Sequence, residues 1–124
     1  LTSAGAGAVP SFQTPSGGET AKAWINFNGE GTIAIRDSFN ISSITDNGTG
    51  DYDVNINVDM ANADYSLVTS GAQGLDTATR SDAIGKIPGI YSVAVGSFTL
   101  ICGFLTTSAN VRDFIVVNAT VFGD

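Results

Sequence analysis

The sequence predicts an all-β fold, an antiparallel β-sandwich of seven or eight short strands. Apolar and polar residues alternate over short runs, with the period of two that sends successive side chains to opposite faces of a sheet. Gly-, Asn- and Asp-bearing segments punctuate those runs and turn the chain. No segment reads as a long helix. Short, evenly punctuated strands of this kind close into a sandwich or a small barrel.

The elements follow in order. Leu1 to Thr20 is small, polar and Gly/Ala/Ser-rich, with Pro10 and Pro15 and only Val9 and Phe12 as apolar anchors. Such a segment cannot bury enough area to offset its ordering entropy, so residues 1–20 are expected to be an extended connector and residues 21–124 the sandwich. The first strand is AKAWINFN, with Trp24, Ile25 and Phe27. Gly29 and Gly31 follow. In TIAIR, Ile33 and Ile35 share a face, and Phe39 and Ile41 continue the period. YDVNINVDM is the clearest strand: Tyr52, Val54, Ile56 and Val58 point toward the core, while Asp53, Asn55, Asn57 and Asp59 point away. Before it, TDNGTGD contains Asn47-Gly48, a strong hairpin signal because both residues tolerate positive φ. Asp46, Asn47, Gly48, Gly50 and Asp51 are therefore expected to be structural turn residues joining two antiparallel strands. Further strands are YSLV, IYSVAVG, SFTLICGF and FIVVNATVF, with a bend or second turn at Gly96-Ser97. The connection Thr69 to Gly89 is polar, with room for a helical turn near TATRSDAIG. Several runs, notably FTLICGF and FIVVNATVF, are apolar on both faces. Either loops cover their second face or another subunit does.

Composition narrows the chemistry. The chain has 124 residues, enough for one domain. Apolar residues make up 43% and charged residues 14%, which excludes a disordered chain. Twelve acidic residues against five basic ones give a net charge of −7, which argues against nucleic-acid binding and against a polybasic membrane contact. No apolar run approaches the ~18 residues of a membrane span, so no membrane insertion is expected. There is no His, so no His general base or His-dependent triad can form. The single Cys, Cys102, can form neither an internal disulfide nor a thiolate zinc cluster.

The remaining constellations have structural explanations. Asp46, Asp51 and Asp53 cluster at the hairpin, where Asp and Asn bond their own backbone. DNGTGD lacks the alternating acidic spacing of a Ca²⁺ loop. AGAGA precedes no strand–loop–helix unit and is not a phosphate loop. No metal and no cofactor are expected. Trp24, Tyr52, Tyr65 and Tyr91 could stack on sugars, although in strands such residues more often serve the core or cross-strand pairs. Sequons at Asn40, Asn47 and Asn118 are what a Ser-, Thr- and Asn-rich chain produces by chance.

One stretch carries a longer pattern. Lys22 to Gly29 (KAWINFNG), Arg36 to Tyr52 (RDSFNISSITDNGTGDY) and Met60 to Tyr65 (MANADY) resemble, in that order, a domain near the C-termini of bacteriophage tail fibre proteins. The end, VNATVFGD, is similar to the closing strand of such domains, and LTSAGAGAVPSFQTP is similar to the connector that precedes them. The resemblance covers about 80 residues by inspection of these motifs and is weak from Gly71 to Asp113. It implies a virion structural protein on the surface of a phage particle, on an extended, usually trimeric fibre, and no catalysis. The abrupt start of the connector at Leu1 predicts a longer protein upstream.

Several functions fit these residues. The first is a non-enzymatic tail fibre module that binds a host cell-surface glycan or protein. The second is a capsid fibre, cement or tail-assembly component without a receptor. The third is a lectin-like sandwich that binds carbohydrate. The doubly apolar strands and the connector together predict a homotrimer whose interface includes part of Phe98 to Phe104 or Phe114 to Phe122, with other virion proteins as partners. Strands serve as scaffold and loops carry recognition. The candidate receptor-binding residues are therefore Asp76, Arg80, Asp82 and Lys86, on the longest polar connection, with Arg112 as a further cation.

Overall fold

A computed structural model describes residues 20–73, 87–103 and 111–123. Eight strands are present among the described residues: β1 (Ala23–Asn28), β2 (Ala34–Phe39), β3 (Ile41–Gly48), β4 (Asp51–Ile56), β5 (Ser66–Ala72), β6 (Gly89–Ala94), β7 (Ser97–Ile101) and β8 (Val116–Phe122). There is no helix among the described residues. The strands form two four-stranded antiparallel sheets, ordered β2-β1-β8-β5 and β3-β4-β7-β6, packed face to face. The expected sandwich is therefore the fold. The connector (Leu1 to Glu19) and the expected helical turn near TATRSDAIG lie outside the described residues.

Alternation places the core. Ala23, Ile25 and Phe27 of β1 and Val117, Ala119 and Val121 of β8 point inward from one sheet, and Tyr52, Val54 and Ile56 of β4 with Phe98 and Leu100 of β7 point inward from the other. Phe27 and Tyr52 meet edge-to-face across the layers, ring centroids 5.3 Å apart at 77°, the arrangement their quadrupoles favour. The Tyr52 hydroxyl donates to Asp113 Oδ1 (2.7 Å), with the Gly29 carbonyl oxygen at 2.9 Å sharing the proton. Burial, reinforced by the Asp113 carboxylate, pushes the Tyr52 phenol well above its ordinary pKa.

The hairpin forms where the Asn-Gly signal falls, but its tip is displaced. Asp46 pairs with Tyr52 and Gly48 with Asp51, with Asn47 bulged between, so Thr49-Gly50 makes the turn. Gly48 (φ 141°) and Gly50 (φ 65°) both occupy backbone space that suits glycine. The second expected turn is also present: β6 and β7 are joined by the two residues Val95 and Gly96.

Two expectations about side-chain direction are corrected. Val58 is 66% exposed, not in the core. β4 stops at Ile56, and the next two amides turn to a corner: Asn57 N donates to Asn40 O and Val58 N to Asn40 Oδ1. Met60 takes the buried position that strict alternation assigned to Val58. Phe39 does not share a face with Ile33 and Ile35. An extra residue in β2, Arg36, shifts its register against β1, so Phe39 pairs with outward-facing Trp24 and is 54% exposed.

The corner at Asn40 lets β2 and β3, adjacent in sequence, belong to different sheets. Asn40 has φ 56°, a conformation that Asn adopts more readily than other non-glycine residues. Its Nδ2 donates to Lys22 O and Val58 O, both at 3.1 Å, so one side chain ties the entry to β1 to the exit from β4.

Candidate functional site

The two outward sheet faces differ in chemistry. On the β2-β1-β8-β5 sheet, one polar row crosses all four strands. Asn26 lies opposite Asn118, and Asn118 opposite Ser70. Arg36 Nη1 donates to Asn26 Oδ1 (3.2 Å), Asn26 Nδ2 to Asn118 Oδ1 (2.6 Å) and Asn118 Nδ2 to Ser70 Oγ (3.2 Å). Arg36 is anchored in turn by Nη2 donating to Ile115 O (2.5 Å). One step along the strands lies a largely apolar row: Phe39 opposite Trp24, Trp24 opposite Thr120, Thr120 opposite Val68. Trp24, the single Trp of the chain, is half-buried, and Val68 is exposed like Phe39. The face thus sets a row with two aromatic side chains, Phe39 and Trp24, beside a row of amides.

The β3-β4-β7-β6 sheet turns a hydroxyl-rich face outward. Ser92 Oγ donates to Thr99 Oγ1 (2.8 Å), and Thr99 Oγ1 donates to Asp53 Oδ1 (2.5 Å). The Thr99 hydroxyl, with the Asn47 amide adding to it, holds the Asp53 carboxyl below its ordinary pKa. Asn55 Nδ2 donates to Ser43 Oγ and Thr45 Oγ1. At the edge of this sheet Tyr91, on a bulge, is 77% exposed, with Ile87 and Ile90 exposed beside it. Between the open edges of β2 and β3 lies a cleft of about 620 Å³, lined by Ile33, Ile35, Ile44, Ser42 and Asp46 among others.

The hairpin carboxylates serve the turn. Asp46 Oδ1 accepts from Gly48 N (3.0 Å), and Asp51 Oδ1 faces Asn47 Nδ2 at 3.4 Å. Gly50 is enclosed: its N donates to Asp113 Oδ1 (2.8 Å), and its carbonyl accepts from Cys102 N (2.7 Å). Among the described residues no group of three or more His, Cys, Asp or Glu is placed to hold a metal ion. Cys102 is a free, buried thiol whose pKa is pushed up to about 12, by burial first and the Asp113 charge second. A thiol so protonated is unreactive at neutral pH.

The expected receptor residues Asp76, Arg80, Asp82 and Lys86 lie outside the described residues. Of the four aromatics weighed for sugar stacking, Tyr52 and Tyr65 are core residues, the latter donating its hydroxyl to Ala94 O (2.8 Å). Trp24 and Tyr91 face outward. The Asn26–Asn118 pair joins residues 92 apart, so only folding brings it together. Its one trace in the sequence is an Asn at the outward parity of each strand, Asn26 in β1 and Asn118 in β8. All three sequon asparagines, Asn40, Asn47 and Asn118, commit a side-chain amide N–H to an internal bond.

The fold and faces define a two-layer, eight-stranded sandwich with one aromatic–amide face and one hydroxyl face. No family model matches the chain, and neither the curated proteins nor the solved structures contain a match.

Proposed function

We propose that the chain is a non-enzymatic structural module of a virion, the distal part of a bacteriophage tail fibre that takes part in host attachment as a homotrimer. The observation that carries this reading is the ordered likeness of Lys22–Gly29, Arg36–Tyr52 and Met60–Tyr65 to tail fibre domains. The roles of those residues fit a module whose sequence is spent on scaffold. Asn40 staples a corner, Asp46 and Gly50 build the hairpin, and Tyr52 and Met60 fill the core.

Support for self-association comes from the sheet edges. Exposed edges are managed in proteins by charge, bulges or cover. β2 carries Arg36 and Asp37, and β3 carries Asp46 and two register shifts. β5 is short-chained and polar, apart from Leu67 and Val68. β6 differs: Ile87, Ile90 and Tyr91 are exposed, and no charged residue occurs from Ile87 through Cys102. An uncharged apolar edge of this kind needs cover, and a second copy supplies it. The trimer contact in this reading is centred on β6, outside the Phe98 to Phe104 and Phe114 to Phe122 stretches expected from sequence, with β7 beside it overlapping the first of them.

Two measurements test the proposal. Sedimentation of the full chain at micromolar concentration should give a trimer, and Tyr91→Lys should dissociate it; a stable wild-type monomer overturns the homotrimer. Antibody against the chain should label the tail fibres of phage particles in electron micrographs. Labelling of the capsid would instead favour the receptor-free structural role.

A further inference from the structure

We propose that the outward face of the β2-β1-β8-β5 sheet is a binding site for a neutral oligosaccharide, which stacks on Trp24 and Phe39 while its hydroxyls bond to the Arg36–Asn26–Asn118–Ser70 row. This deepens the attachment reading and rests on it for the biological setting, since it names the chemical class of what is attached to.

Valence is the first argument. A primary amide has two N–H donors and two acceptor sites. The ladder uses one N–H and one acceptor site of Asn118, and likewise of Asn26. Each amide therefore keeps one donor and one acceptor, and the Ser70 hydroxyl keeps its proton to donate. The internal bonds fix the orientation of these groups, so they form a pre-organised array at the strand spacing of ~4.8 Å, about the width of a sugar ring. Sugar hydroxyls both donate and accept, and they can meet both halves of each amide's remaining capacity. The aromatic row lies one side-chain step away, ~7 Å along the strands. The apolar C–H face of a pyranose can rest there while its rim hydroxyls reach the amides.

The size and charge of the two rows suit a saccharide. Four strands span three spacings of ~4.8 Å, and two rows span ~7 Å, giving a patch of about 100 Å². A specific protein interface needs about 800 Å² per partner. The two rows carry one cation, Arg36, and one anion, Asp37, so they are locally neutral. A neutral saccharide matches both that size and that charge.

The full chain reports its own occupancy, because Trp24 is its only Trp. The chain is first screened on an array of neutral and acidic glycans, then titrated with cello-, chito-, malto- and manno-oligosaccharides while Trp emission is followed. Saturable binding of a neutral oligosaccharide with a change in Trp emission is expected. Phe39→Ala and Asn118→Ala should each weaken it about tenfold, the scale of one stacking or bonding contact. Ser70→Ala and Phe39→Ala change exposed positions and serve as variants that keep the fold, checked by circular dichroism. Three results would overturn the proposal: no neutral glycan bound by the folded chain, binding unaltered in both Phe39→Ala and Asn118→Ala, or Trp emission that follows protein concentration alone, which would make the face a contact between copies. None of these would disturb the trimer measurement or the labelling of tail fibres, so the two readings fail separately.

Discussion

Gly31 and Gly50 share a backbone conformation and differ in surroundings, which makes them a controlled pair. Their φ angles are 60° and 65°. A Cβ added at Gly31 meets nothing within 4 Å. At Gly50 it would lie 2.5 Å from Cys102 O, 2.8 Å from Arg112 O and 3.0 Å from Arg112 N, all backbone atoms that cannot swing aside. Both Gly→Ala changes incur the left-handed cost of about 1–2 kcal/mol. Both gain about 0.4–1 kcal/mol from a less flexible unfolded chain, which cancels in the comparison. Only Gly50→Ala adds overpacking, about 1–3 kcal/mol. It also displaces the strand ends that accept and donate the Cys102 and Asp113 bonds. Gly50→Ala should therefore be less stable than Gly31→Ala by about 1–3 kcal/mol. Urea unfolding at one fixed protein concentration, with linear extrapolation, measures both. Equal destabilisation by the two variants, within about 0.5 kcal/mol, would refute the close packing of Gly50 against Cys102 and Arg112.

Other positions give independent checks. Asn40→Gly keeps the positive φ and removes only the side-chain bonds to Lys22, Val58 O and Val58 N; it should cost about 2 kcal/mol in the same assay. The Asp53 carboxyl has a lowered folded pKa, so its stabilisation is present above the unfolded value of about 3.9 and is lost as pH falls through the folded pKa. Thr99→Val should shrink that loss, measured as a flatter fall of urea midpoint with pH on the acid side. Cys102 titrates the other way: its raised pKa makes its contribution complete below the unfolded value of about 8.5 and lost as pH rises toward about 12. Accordingly, a thiol reagent at pH 8 should modify Cys102 only after the chain is unfolded in denaturant, and rapid modification of the native chain would contradict its burial.

The β architecture was legible because alternation is a local signal. Tyr52, Val54 and Ile56 are buried as their parity requires, and so are Ile25, Phe27, Val117 and Val121. Parity failed where a single residue changed the geometry. The extra residue Arg36 turned Phe39 outward, and the corner at Asn40 ended β4 before Val58. Neither event alters hydrophobic periodicity, since a bulge costs one residue and a corner uses one side chain. The hairpin signal located the turn, but the tip moved to Thr49-Gly50 because a bulge at Asn47 consumed part of the Asn-Gly unit. The amide row was not legible at all. Asn26 and Asn118 each stood as a polar residue at a solvent-facing parity, like Asn28 and Thr120, and only the pairing of β1 with β8 places them side by side.

That pairing also decides how the two halves of the molecule divide their work. Each sheet has one inward face committed to the core, so among the described strands only outward faces and edges are left for recognition. The hydroxyl row on β6 and β7 is short and runs into the Asp53 carboxylate of β4, whose Oδ1 already accepts from Thr99. The amide row on β1 and β8 runs from a guanidinium to a hydroxyl, with all three side-chain bonds donating in the same direction. A chain of bonds with one direction orders its members, because reversing either amide would set donor against donor or acceptor against acceptor. The same directionality makes Arg36→Gln a sharp probe. Gln can still donate to Asn26, so the row can persist, but it cannot also hold Ile115 O from a second guanidinium nitrogen. Arg36→Gln should therefore preserve the fold, cost about 1 kcal/mol in urea unfolding and loosen the Asn26 end of the row. Side-chain amide resonances of Asn26 and Asn118 measured by NMR would report that loosening, and resonances unchanged in Arg36→Gln would show that the row orders itself without its cation.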